Sequence, residues 1–285
     1  MTRLDEDSSM NRTQAGAATL GGPFPNHVRP YPEECQAARD GLAALHGEPS
    51  RWQLGETHWE AGEGEGCDAK PLQASVLDSL VRTILSQNTT DVTSHAAFAN
   101  LKKVFPTWEG VRTAPEGTVE EAIRVGGLAD IKAARIKAIL NTLLAERGSC
   151  CLEYLRALPD DQIKADLVRH KGVGAKTVAC VLMFCLNRKE FPVDTHVWRI
   201  SKALGWVPAK ATRDEAYEHL NLRVPDDVKY DLHVLLVEHG KKCPKCAKNG
   251  RPRKPAEGAC PLQHLLGQPE KGRNSTNQRP ASIRP

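Results

Sequence analysis

The chain is 285 residues long, enough to bury a substantial core in one large domain or two small ones. Lys plus Arg exceed Asp plus Glu by 39 to 35 and the isoelectric point is near 8.5, so an anionic partner is permitted but not demanded. The longest strongly apolar run, residues 177–186, is about half of the ~20 residues a membrane helix needs, which argues against a helical span and for a soluble chain.

Residues 1–32 are polar and end in the proline-rich "GGPFPNHVRPYP", which reads as a disordered arm. A helix is expected over 33–46, with Pro32 just outside its start and Gly47 at its stop. A Gly/Glu-rich loop follows to residue 70, its Trp52 and Trp59 read as apolar anchors onto the fold. From Pro71 onward the apolar periodicity is helical, with helices expected over 72–87, 91–104, 118–125, 129–147, 160–168, 174–186, 195–204, 213–222 and 226–239. The helix 129–147 is expected to bury Ile131, Ala134, Ala138, Ile139, Thr142 and Leu143, with Lys132, Arg135 and Lys137 largely off that face. The fold class is therefore all-α, and residues 266–285 read as a basic, disordered tail.

Nine cysteines, an odd number, without a secretory signal point to reduced thiols or metal ligands in an intracellular compartment. The acidic "LDED" at residues 4–7 argues against an organellar transit peptide.

The stretch "RHKGVGAKTVACVLMFCL" joins helix 160–168 to helix 174–186 through a hairpin, with Gly172 and Gly174 either side of Val173. Glycines there let the backbone turn tightly, and the free amides at the next helix start form a cradle for a phosphate. Lys176 lies in the first turn of a helix that is apolar all round. The helix dipole and a partly dry setting are both expected to lower its pKa, which makes it a candidate nucleophile. Asp194, in "FPVDTHVWRI", has the ordinary task of an N-cap, worth about 1 kcal/mol. It also has the reach for more: the helix beyond Lys176 rises about 15 Å, while the connector 187–193 spans up to about 23 Å, enough to bring the carboxylate back beside the amine. A carboxylate there takes a proton or stabilises a developing cation.

"KGVGAKTV" followed by "VDTHVWRI" resembles the helix-hairpin-helix DNA glycosylase superfamily of the endonuclease III type, over residues 71–260 and more weakly over helix 33–46. The resemblance implies a two-lobed fold: a six-helix barrel lobe over 71–188, and a second lobe of 33–70 and 189–265. It also implies that Lys176 is the Schiff-base lysine and Asp194 the catalytic aspartate of a base-excision glycosylase with lyase activity at abasic sites. The alternatives are a monofunctional glycosylase and a helix-hairpin-helix DNA-binding protein without chemistry. The implied partner is double-stranded DNA carrying a damaged or abasic nucleotide; the chain is read as a monomer with no membrane association, in the nucleus, with mitochondrion or plastid as the alternative to it and secretion excluded.

By position, Asn88 aligns with the polar residue that fills the gap left by a flipped nucleotide, with Gln87 beside it, and Leu128 with an apolar residue inserted between bases. Lys171, Lys132 and Arg135 are candidate phosphate contacts, with Gly172, Val173 and Gly174 as the cradle. Relatives carry four cysteines, C-x6-C-x2-C-x5-C, around a four-iron cluster. Here "EHGKKCPKCAKNGRPRKPAEGACPL" keeps only Cys243, Cys246 and Cys260, with His239 or His264 as a possible fourth ligand. A [4Fe-4S] cluster, zinc and no metal are three open readings.

Overall fold

The computed structural model describes residues 21–49, 75–247 and 259–265. The sequence readings of residues 1–20, the tryptophan-bearing loop, the basic insert after Ala247 and the C-terminal tail lie outside them. Every regular element of the described residues is helical: α1 (Pro32–His46), α2 (Val76–Leu85), α3 (Asp91–Val104), α4 (Trp108–Thr113), α5 (Thr118–Ile123), α6 (Ala129–Arg147), α7 (Asp160–Val168), α8 (Ala175–Phe184), α9 (Thr195–Ala203), α10 (Arg213–Arg223) and α11 (Lys229–Lys242). None is long and apolar enough to cross a membrane.

The helix starts carry local chemistry. Ser75, Thr90, Thr107, Asp194 and Thr212 accept side-chain hydrogen bonds from the first-turn amides of α2, α3, α4, α9 and α10. The short α4 and a 3-10 turn at Glu153–Ala157 were absent from the sequence reading, because six and five residues are too few to show a period.

Two apolar cores form. The first gathers Leu80, Ile84, Phe98, Leu101, Ile136, Leu140 and Val181 from α2 to α8. The second gathers Leu42, Phe191, Val197, Trp206, Leu220, Leu232 and Leu236, so α1, first in sequence, packs against α11 near the end. Each fully buried leucine contributes about 1.5–3 kcal/mol. The lobes meet where Phe184 stacks edge-on against Tyr230 and His233, at 5.6 and 5.7 Å between ring centres. On the connector, buried Glu190 accepts from the Tyr217 hydroxyl and pairs with Lys164, both at 2.5 Å, so its charge is compensated.

Three expectations need correcting. Part of the N-terminal arm is ordered: His27 Nε2 donates to the Gly205 carbonyl at 3.0 Å, and Phe24 packs on the His219 ring. The buried face of α6 is turned from the expected one. Lys132, Ala133, Ile136, Ile139, Leu140 and Leu143 are inside, whereas Ile131 stays 49% exposed and Ala134 and Ala138 face out. The reason is polar: the Lys132 ammonium is drawn inward by two carbonyl groups. Finally, Cys151 is disulfide-bonded, while Cys35, Cys150, Cys180, Cys185, Cys243, Cys246 and Cys260 are free thiols.

Candidate active site and metal centre

The hairpin between α7 and α8 is built around Gly172, whose φ of +87° lies where L side chains are strained. A Cβ there would also sit 2.4 Å from Nε of Arg135, which lies across the turn. Gly172→Ala is therefore expected to lower the unfolding free energy by about 2–3 kcal/mol, read by denaturant melting. Gly174 differs: nothing lies within 4 Å of a Cβ added there, so the space in front of α8 is open.

Val173 needs correcting as a DNA contact. Its side chain is buried in the first core and its N–H donates to the His170 carbonyl at 3.0 Å, so neither is available to a phosphate. The free donors are those of the α8 start, since the first helical bond there runs from Val178 N–H to the Gly174 carbonyl. Gln87 is also committed inside the protein. Its Nε2 donates to the Gly172 carbonyl at 3.1 Å and to Thr177 Oγ1 at 3.3 Å, while its Oε1 accepts from Arg135 at 3.0 Å. Gln87 thus latches the hairpin and is not free to enter a duplex. Lys171 is exposed, as a phosphate contact must be.

Asn88 and Leu128 share an unusual state: both are exposed and both hold left-handed backbone, φ +54° and +53°. Such residues cost about 1–3 kcal/mol each and persist where the surroundings over-determine them. The surroundings include Lys132. Instead of reaching a phosphate, its buried Nζ donates to the Leu85 carbonyl at 2.7 Å and the Gly126 carbonyl at 2.9 Å, tying together the segments that carry Asn88 and Leu128. Burial pushes its pKa down, with Arg135 adding to the effect.

Lys176 is exposed to solvent in the first turn of α8. Asp194 is half-buried at the start of α9, where its Oδ1 accepts from the His196 and Val197 amides, both at 2.8 Å. The two side chains form no direct ion pair, but each is close enough to act on the other electrostatically. The direction of the Lys176 shift is opposite to the sequence expectation. The Cys180 side chain, one turn on, favours the ammonium most; burial opposes it, and Asp194 and then Asp91 add to the upward pull. The Cys180 thiol is itself pushed up by burial, with Lys176 acting downward on it.

His233, on α11, is a third member that the sequence concealed. It is buried between Phe184 and Phe191, and its pKa is pushed down to about 4, chiefly by burial, with Asp194 acting upward and Lys176 downward. Its Nδ1 donates to the Pro192 carbonyl at 2.8 Å, which leaves Nε2 as the lone-pair nitrogen of a neutral ring. In sequence, a histidine one position along an apolar helical face reads as core.

Behind Asp194 lies the metal-ligand cluster. His239, Cys243, Cys246 and Cys260 are all buried, and their ligand atoms lie within 4.8 Å of one another. The sequence left the fourth ligand between two histidines; His239 joins the cluster, whereas His264 is exposed and outside it. Two contacts join the cluster to α9. Arg199 Nε of α9 donates to the Cys246 carbonyl at 3.0 Å, and Gly240 admits His196 so closely that an added Cβ would lie 2.6 Å from its ring nitrogen.

Comparison with known proteins agrees with this arrangement. Residues 81–226 match the HhH-GPD superfamily base excision DNA repair proteins. An Arabidopsis thaliana protein provisionally named a DNA glycosylase is 47% identical over 87% of this chain and 89% of its own length. Endonuclease III of Sulfolobus acidocaldarius is 31% identical over 61% of this chain and 76% of its own. The fold is that of endonuclease III: a non-covalent endonuclease III–DNA complex superposes with a TM-score of 0.60 at 22% identity, covering 84% of this chain and 96% of that one. With motif, fold and family match coinciding, the chain belongs to the HhH-GPD superfamily of base excision DNA repair proteins.

Proposed function

We propose that this protein is a DNA glycosylase with lyase activity at abasic sites, acting on a damaged or modified base flipped out of duplex DNA. The observation that carries the reading is Lys176, in the first turn behind the hairpin, sharing one electrostatic environment with Asp194. A protein that only gripped DNA would have use for the hairpin but none for that pair.

The chemistry follows from the groups present. Flipping brings the sugar carbon C1′ within reach, which stacking forbids. The phosphates flanking the nucleotide meet the unbonded amides at the α8 start and Lys171. Asn88 and Leu128 enter the gap left in the duplex. Lys176, resting as an ammonium, first loses a proton to the water that reaches the cleft. Its lone pair then forms the N–C1′ bond while the glycosidic bond breaks and its electron pair leaves with the base. Asp194 faces the positive charge that develops on the sugar, its Oδ1 held by two amides. The adduct opens to an imine; water then takes the C2′ proton, and the electron pair of that C–H bond forms the C2′–C3′ double bond as the 3′ phosphate leaves. A genomic substrate supports a nuclear location, with an organelle genome as the alternative; the acting form in this reading is a monomer.

The test is borohydride trapping of the imine on duplexes carrying an abasic site or a panel of lesions, repeated across pH. Only the neutral amine attacks, and the Lys176 pKa is raised above that of an ordinary lysine. The neutral fraction, and with it the initial trapping rate, is expected to climb about tenfold per pH unit between pH 7 and 9 at saturating DNA. Absence of a trapped adduct on every duplex would remove the lyase assignment. A rate already level by pH 7.5 would instead keep the lysine but show that its amine rests uncharged.

A further inference from the structure

The cysteine cluster is not shaped for the four-iron centre that the endonuclease III resemblance implies. In such a centre four irons about 2.7 Å apart each reach outward about 2.3 Å to one protein ligand, which holds the ligand atoms roughly 6 Å from one another. Here His239 Nε2, and the sulfurs of Cys243, Cys246 and Cys260, all lie within 4.8 Å of one another. There is no room among them for four irons and four sulfides.

A single ion fits. Tetrahedral zinc with Zn–S near 2.3 Å and Zn–N near 2.0 Å sets neighbouring sulfurs about 3.8 Å apart, and sulfur and nitrogen about 3.5 Å apart. The Cys246 and Cys260 sulfurs are 3.8 Å apart, and Cys260 Sγ lies 3.4 Å from His239 Nε2. The remaining ring nitrogen of His239, Nδ1, is 2.9 Å from His46 Nε2 at the end of α1, the outer hydrogen bond that fixes a ligating imidazole. The four donors are buried, and three thiolates with one imidazole are a zinc-selecting set. We infer that His239, Cys243, Cys246 and Cys260 hold one structural zinc ion where relatives keep an iron–sulfur cluster, with His46 orienting His239.

The inference concerns the scaffold of the second lobe and does not depend on the lyase reading. It is tested on full-length protein, produced with both iron and zinc supplied, by elemental analysis, acid-labile sulfide and visible absorption. The expected result is one zinc per chain, no sulfide and no absorption near 400 nm. Exchange with cobalt(II) is expected to give the intense d–d bands of a tetrahedral thiolate site, between about 600 and 750 nm. His46→Ala, which leaves all four ligands in place, is expected to keep the ion but weaken zinc retention against a chelator by about 10–100-fold. His264→Ala is expected to change neither. About four irons with matching sulfide would overturn the inference, as would a protein that carries no metal and gives no cobalt spectrum. Unchanged retention in His46→Ala would remove the orienting role of His46.

Discussion

Lys176→Gln is expected to abolish the borohydride-trapped adduct and to slow strand cleavage at abasic sites by on the order of 10⁴-fold or more, because loss of a nucleophile removes the covalent route entirely. The fold should survive: the side chain is exposed at the cleft and glutamine is a good helix former. Binding to an uncleavable abasic duplex is expected to weaken by less than about tenfold, since the α8 amides and Lys171 are untouched. Single-turnover cleavage, gel trapping and a binding titration on one preparation separate these effects. Wild-type cleavage by Lys176→Gln would move the chemistry to another amine.

The second large effect is expected from Asp194→Asn. The Asp194 carboxylate caps α9 and, in the proposed reaction, faces the sugar; asparagine separates the two roles. Asn caps a helix about as well as Asp, so the unfolding free energy should change by no more than about 0.5 kcal/mol. The negative charge is lost, and single-turnover base release should fall by about 10²–10⁴-fold. Asp194→Ala would add the loss of the cap, about 1 kcal/mol, visible in thermal melting. Base release by Asp194→Asn at the wild-type rate would reduce Asp194 to a helix cap.

The parts of this molecule that were legible in sequence are those written within one short segment. The hairpin, Lys176 and Asp194 announce themselves because turn glycines, a lone cation before an apolar helix and an N-cap are local signals. The helices of nine residues or more were legible for the same reason, and so was the six-residue α5, whereas the equally short α4 was not. What escaped is what distant segments make together. Lys132 looks like a surface lysine until the carbonyls of Leu85 and Gly126 meet over it. Gln87 looks free until the hairpin, 85 positions away, takes its amide. The pKa of Lys176 was misjudged in direction because Cys180 and Asp91, near it in space, were not weighed. The choice between His239 and His264 likewise needed the burial that only the folded chain provides.

The ammonium of Lys132 acts as a gauge block. One cation sets how far apart the tips bearing Asn88 and Leu128 stand, from within the protein and ahead of any encounter with a duplex. Fixing a backbone residue costs about 1–2 kcal/mol, and for these two tips that ordering is completed during folding rather than at first touch. In the proposed function, a helix of DNA would meet callipers already locked.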